Sequence, residues 1–267
     1  SESEKNLNLN KVQKSNFQID NIDLQRVMKK ASKGWDGGYA MGGMVGQGDS
    51  FLIRDPNGIR PAYYYFDEEI AVVASERPVI QTAFDLKFDQ VKEVPPGHMI
   101  WIRRSSEVSI KKILEPKSKL ACSFERIYFS RGNDGAIYNE RIELGRRLAK
   151  KVLNAADNNI DKTIFSFIPN TAEISFYGLV KGVETELNKV KVKQLLKLKN
   201  SSSEEDLLKV LERKPRVEKI AWKDIKLRTF IAQDLVRDDM VSHVYDSTYN
   251  VVESQDTIVA VDDSIVR

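Results

Sequence analysis

Residues Thr257, Ile258, Val259, Ala260 and Val261 form a short apolar run that passes directly into Asp262, Asp263 and Ser264. β-Branched side chains fit a pleated surface better than a helix, and a short unbroken apolar run fits a buried strand of a parallel sheet. In sheets of that kind ligands sit at the carboxyl ends of the strands, so two acids delivered there are candidates for a ligand site. Consecutive strand side chains face opposite ways, so Asp262 and Asp263 can address one ligand only if the strand gives way to a loop at that point. Ser264 onward is then the loop, and its outward amides suit a phosphate. A plain solvated turn is the competing reading.

The remainder of the chain divides by texture. At 267 residues it exceeds the usual single-domain size, so two domains or parts of two are expected. Residues 1–16 are polar and aperiodic, which reads as a flexible lead-in or an excised edge. Asp20 or Asn21 is expected to cap a helix carrying Leu24, Val27, Met28 and Ala31 on one face, with Gly34 ending it. From Gly37 to Arg104 short apolar segments alternate with turn signals such as Pro56-Asn57-Gly58 and Asp67-Glu68-Glu69. These predict strands at 39–45, 50–54, 62–66, 70–75 and 99–103 in an antiparallel meander. A short helix at 76–84 would carry Pro78 in its first turn.

Near Cys122 the pattern changes. Strands are expected at 127–130, 163–169, 217–221 and 258–261, separated by helices at 138–158 and 171–187 and by a further helix at 204–213 with Ser203 as its cap. The first of these helices shows Ile142, Leu148, Val152 and Ala156 at helical spacing. Strands alternating with helices imply a parallel sheet built from crossover units.

Composition excludes several classes. A net charge of +3, with basic residues spread among acids, gives no case for nucleic acid. The segment 103–119, although basic, reads as a solvated hairpin and linker. No apolar run is long enough to span a bilayer and no secretory signal is evident at the start. One cysteine, Cys122, excludes an internal disulfide, and with only His98 and His243 there is no zinc spacing. A reducing cytoplasm is the expected location. Ser1 in place of methionine, and a terminus that falls inside a motif, read as cut ends.

Taken in order, these segments resemble the amidophosphoribosyltransferase family: Trp35-Asp36-Gly37-Gly38-Tyr39, Arg54-Asp55-Pro56-Asn57-Gly58-Ile59-Arg60-Pro61, Ala74-Ser75-Glu76, Pro96-Gly97, Cys122 to Phe129, Arg228-Thr229-Phe230-Ile231, and Val259 to Arg267. The resemblance runs from about Gly34 to Arg267. It implies an α/β and α+β chain: residues 1–120 as the second half of an N-terminal-nucleophile glutaminase with a four-layer αββα fold, and 121–267 as the first half of a type I phosphoribosyltransferase. The family makes 5-phosphoribosylamine from phosphoribosyl pyrophosphate and glutamine or ammonia, the first step of purine synthesis.

By the same resemblance Asp262, Asp263, Ser264, Ile265, Val266 and Arg267 would bind phosphoribosyl pyrophosphate, joined by Asn170 and Thr171 at a strand-to-helix junction and by Arg228 before a mobile loop. Lys223 and Lys226 would add positive charge, and Asp262 with Asp263 would help hold Mg2+. The family often has a hydroxyl residue where this chain has Ala172, and a glycine where it has Leu227. Cys122 matches a cysteine that ligates an iron-sulfur cluster in some members, with the other three ligands beyond Arg267; a buried cysteine beside Phe124 is the competing reading. The glutaminase nucleophile, an amino-terminal cysteine, has no counterpart here, so these residues alone are expected to be inactive. Arg54-Asp55-Pro56-Asn57-Gly58 reads as a structural turn in which Gly58 takes positive φ and Arg54 and Arg60 meet carboxylates or carbonyls. Purine nucleotides as inhibitors and a homo-oligomeric parent are further implications. A degenerate relative that binds phosphoribosyl pyrophosphate or a nucleotide without turnover is the alternative.

Overall fold

A computed structural model describes residues 22–46, 48–198, 203–223 and 245–263. The chain forms two compact units, Ser1–Arg126 and Ile127–Arg267.

The first unit is built on two antiparallel sheets. Strands β1 (Ala40–Met44), β2 (Ser50–Arg54), β6 (His98–Ile102) and β7 (Val108–Lys112) form one sheet in the order β1-β2-β6-β7. Strands β3 (Tyr63–Phe66), β4 (Ala71–Ala74) and β5 (Lys92–Glu93) form the other in the order β4-β3-β5. Period-two alternation along β2 and β6 sends side chains into two cores. Ile53, Met99 and Trp101 pack with Leu24 and Met28 of helix α1 (Leu24–Ala31). Leu52 and Ile100 pack with Tyr64 and Val73 of the second sheet. Helix α1 is capped by Asp23, whose carboxylate accepts from Arg26 N at 3.0 Å; Asp20 and Asn21 lie outside the described residues. Helix α2 (Arg77–Phe84) carries Pro78 in its first turn, where no amide partner is lost. Strand β7 pairs antiparallel with β6 along Val108 to Lys112, so the basic segment after Arg103 supplies the turn and the returning strand of a hairpin at the sheet edge.

The second unit contains a three-stranded parallel sheet in the order β12-β8-β9, with β8 (Thr163–Phe167), β9 (Arg216–Val217) and β12 (Thr257–Val261). All five residues of β8 are buried, as the central position of the sheet requires. Strand β12 departs from the buried strand the sequence suggests: only Val261 is buried, and among the described residues it pairs with β8 alone. Strands β10 (Ala221–Lys223) and β11 (Tyr245–Ser247) form a separate antiparallel ribbon. The single strand read at 217–221 is therefore two strands in two sheets.

Helices α3 (Gly135–Ala155) and α4 (Glu173–Lys197) run side by side, with Ile142 against Gly178 and Ala149 against Gly182. Their approach is so close that a Cβ on Gly178 would stand 2.0 Å from Ile142 O, and one on Gly145 would stand 1.7 Å from Ser175 O. The buried residues of α3 are Ile137, Arg141, Gly145, Ala149 and Leu153. This stripe is rotated from the expected one, on which Leu148 is exposed, because small residues at the seam carry the contact. Helix α4 extends ten residues beyond its expected end at Leu187, and helix α5 (Glu204–Glu212) begins with a capping box between Ser203 and Asp206. The segment read as a strand at 127–130 is instead part of a π-helical turn, Glu125–Phe129. No helix among the described residues is long and apolar enough to cross a membrane.

Candidate functional site

Strands β8 and β12 run parallel in register, with Phe167 opposite Val261, and Ile168 N donates to Val261 O at 2.8 Å. Their carboxyl ends therefore open side by side. From β8 the chain passes through Ile168, Pro169, Asn170 and Thr171 into α4, and the Pro169–Asn170 peptide is cis. From β12 it passes directly into Asp262 and Asp263, because the strand ends at Val261. The structure thus brings together four of the expected site residues: Asn170, Thr171, Asp262 and Asp263. The other five, Ser264, Ile265, Val266, Arg267 and Arg228, lie outside the described residues, as do Lys226 and Leu227.

Asp263 N donates to Asp262 Oδ1 at 2.8 Å, an Asx contact that turns the backbone out of strand geometry. Loss of hydration, reinforced by the charge of Asp263, raises the Asp262 carboxyl above its ordinary value, while the Asp263 amide and Lys223 oppose that shift. On β11, burial and then the charges of Asp262 and Asp263 raise the Tyr245 phenol. Lys223 lies 5.5 Å from the Tyr245 ring centroid, so the ribbon of β10 and β11 holds a cation beside the phenol.

At the start of α4, Glu173 N is met by Asn170 O at 3.3 Å, and the other first-turn amides belong to the part of a helix that lacks intrahelical acceptors. Ala172 occupies the N-cap position, is 1 % exposed, and makes no side-chain cap. Its side chain offers no oxygen to a cation. Thr171 is the hydroxyl residue nearest to that position.

Arg141 was not among the residues singled out by sequence. It is 4 % exposed on α3, and its Nη2 donates to Ser130 O at 2.8 Å. Burial lowers its pKa, while the charges of Asp263 and Glu140 pull it back up. The available signal is its place one helical turn from Ile137 and from Gly145 on the buried stripe, where an arginine is unusual.

A magnesium ion usually keeps one or two protein carboxylates and takes its other ligands from water and substrate phosphates. Asp262 and Asp263 fit that role. Among the described residues there is no group of three or more acidic, histidine or cysteine side chains that would form an all-protein cage. Cys122 is partly exposed beside an exposed Phe124, not buried, and it is the one cysteine of the sequence, so these residues do not assemble a four-cysteine cluster.

In the first unit the Arg54–Pro61 segment is a structural turn. Arg54, 2 % exposed, donates to the carbonyls of Arg60, Val94 and Gly58 and pairs with Glu93 at 2.8 Å. Asp55, fully buried, accepts from the amides of Tyr39, Asn57, Ile59 and Arg60. Gly58 has φ +60, and Arg60 pairs with Glu125. The buried guanidinium of Arg54 and the buried carboxylate of Asp55 are both directed at groups of the protein itself.

No protein-family model matches the sequence. Curated relatives do: the amidophosphoribosyltransferase of Pasteurella multocida is 28% identical over 164 residues, covering 58% of this chain and 32% of the relative. That of Archaeoglobus fulgidus is 30% identical over 149 residues, covering 54% of this chain and 31% of the relative. The chain is similar to part of an amidophosphoribosyltransferase. It spans about a third of the length of these relatives. The glutamine phosphoribosylpyrophosphate amidotransferase of B. subtilis, solved with ADP and GMP, superposes with a TM-score of 0.62 at 23% identity, covering 99% of this chain and 51% of that one. A second structure, described as the allosteric regulatory enzyme of purine biosynthesis, gives 0.62 at 22% identity, with 99% and 50% covered. At that identity the superposition establishes the mixed α/β fold.

Proposed function

We propose that the chain is the middle of a glutamine amidophosphoribosyltransferase, with the first unit part of its glutaminase and the second part of its phosphoribosyltransferase. The observation that carries the reading is the convergence of Asp262 and Asp263 with the Asn170–Thr171 loop at the adjoining carboxyl ends of β8 and β12. Phosphoribosyl pyrophosphate has a diol at one end and a pyrophosphate at the other. The carboxylates accept hydrogen bonds from the ribose hydroxyls, the amides after Asp263 receive the 5-phosphate, and the first turn of α4 faces the pyrophosphate.

In this reading ammonia, released from glutamine, displaces pyrophosphate from carbon 1 of the ribose through a transition state with positive charge on the ring. In this displacement the protein forms no covalent bond to the ribose; it positions the ribose and keeps cations on the leaving group, to which Lys223 and the Arg228 segment would contribute. Magnesium, when bound with the substrate, neutralises pyrophosphate charge. Iron-sulfur ligation by Cys122, inhibition by purine nucleotides, a homo-oligomeric assembly and a cytoplasmic location accompany the same reading. Support for regulation comes from the B. subtilis structure solved with ADP and GMP.

The test is thermal protection. Phosphoribosyl pyrophosphate with magnesium should raise the melting temperature of the second unit, and Asp262→Asn combined with Asp263→Asn should abolish the rise. Equal protection in the double variant would place the ligand elsewhere.

A further inference from the structure

A surface segment held by polar contacts opens at far lower cost than one that buries apolar side chains. Residues 115–121 are such a segment: all are exposed, and they form neither helix nor strand. They lie across the Arg54–Pro61 turn. Lys117 N donates to Pro56 O at 2.8 Å, Leu120 N to Asn57 O at 2.9 Å, and the Asn57 side-chain amide to Ser118 O at 3.1 Å. Lys119 Nζ meets the two oxygens of Glu93 at 3.0 and 2.9 Å, and the same carboxylate pairs with the buried Arg54 guanidinium at 2.8 Å.

Both flanks are held in another way. Before the segment, Ile113 is buried in the core, and the amides of Ile113 and Leu114 donate to Gly97 O at 2.9 and 3.0 Å. After it, Glu125 is buried and pairs with Arg60. The turn beneath is braced from inside, because Arg54 binds the carbonyls of Gly58 and Arg60 while Asp55 binds the amides of Asn57, Ile59 and Arg60. The segment is therefore a removable layer on a turn that is complete without it.

We propose that residues 115–121 form a releasable strap, which opens from the turn as one unit while the turn and both flanks stay formed. It is a conformational device in the chain just ahead of Ile127, where the second unit begins, and it stands independently of the phosphoribosyl pyrophosphate reading. The two backbone amides, the Asn57 side chain and the ion pair of Lys119 share the hold. Loss of any one of them loosens the whole strap, and salt competes with the ion pair because Lys119 is half exposed.

The experiment is amide hydrogen exchange of the full chain, resolved at Lys117 and Leu120, with Lys119→Gln and Asn57→Ala variants. In the parent these two amides should exchange at least about tenfold faster than the hydrogen-bonded amides of β2 and β6, at rates that dilute urea leaves unchanged, since local opening exposes little surface. Lys119→Gln should speed both amides by a similar factor of about two to five, the weight of a partly exposed ion pair. Asn57→Ala should speed both by about two- to tenfold. High salt should speed the parent and leave Lys119→Gln unchanged. Acceleration confined to one of the two amides, parental rates in both variants, or exchange that follows β2 and β6 as urea is added would overturn the proposal. If Asn57→Ala disturbs the turn itself, seen as faster exchange in β2, Lys119→Gln decides alone, because its side chain lies on the surface.

Discussion

Replacing Asp55 with asparagine tests whether the Arg54–Pro61 segment is held for structure. The carboxylate is fully buried, and each oxygen accepts two amides: Oδ1 from Asn57 and Ile59 at 3.0 Å each, Oδ2 from Arg60 at 3.1 Å and Tyr39 at 3.3 Å. Asparagine has the same shape, so no cavity forms. Whichever oxygen is replaced, its –NH2 then faces two N–H donors, and two bonds to a charged acceptor are lost. At about 1.5–3 kcal/mol for each such bond the loss is about 3–6 kcal/mol, and the long Tyr39 contact favours the lower half. Against a total of roughly 5–15 kcal/mol for a typical domain, that is a large share. Urea unfolding followed by tryptophan fluorescence reports the first unit through Trp101, which is buried in its core. Asp36→Asn, at an exposed acid that accepts, among the described residues, from Gly37 N alone, is the control and should shift stability by less than about 0.5 kcal/mol. A loss below about 1 kcal/mol for Asp55→Asn would refute the argument that four amides depend on this carboxylate.

Three further outcomes follow from the second unit. Gly178→Ala places a methyl 2.0 Å from Ile142 O, so α3 and α4 must part; thermal melting should show a loss of about 1–3 kcal/mol from overpacking, while Gly135→Ala, with nothing within 4 Å of its added Cβ, should not destabilise. Ser203→Ala removes the cap to Asp206 N and should cost α5 about 1 kcal/mol, read as faster amide exchange over Glu204–Glu212. Arg146 and Arg147 hold the Glu143 carboxyl down to about 2 from 4.5. Because the folded value is depressed, the stabilisation is complete above pH 4.5 and disappears as pH falls through about 2; the advantage over Glu143→Gln in acid melts should follow that window and shrink with salt.

The sequence patterns that proved legible were those fixed by local chemistry. Pro78 marks the first turn of α2, Ser203 caps α5, Gly58 takes positive φ, and the β-branched run ends as a strand at Val261 before the two acids. What tertiary context decides was not legible. Ile127-Tyr128-Phe129 has strand composition but closes a π-helical turn, and the residues between Val217 and Ala221 lie between two sheets. On α3, apolar periodicity pointed to Leu148, whereas close helix packing selects Gly145 and Ala149. The same bias toward apolar residues hid Arg141, although its position on that stripe was readable. At the candidate site, Asp262, Asp263, Asn170 and Thr171 were readable from motif and strand-end reasoning; the effect of the acids on Tyr245 depends on a ribbon that sequence spacing does not reveal.

The proposed ligand site lies between the carboxyl ends of β8 and β12. Amide hydrogen exchange with and without magnesium and phosphoribosyl pyrophosphate, resolved to peptides, tests it directly. Ligand at that site should slow exchange in two separate segments, the first turn of α4 after Asn170 and the residues following Val261, with no change across the Arg54–Pro61 turn. Protection confined to other segments, or none at either strand end, would contradict it.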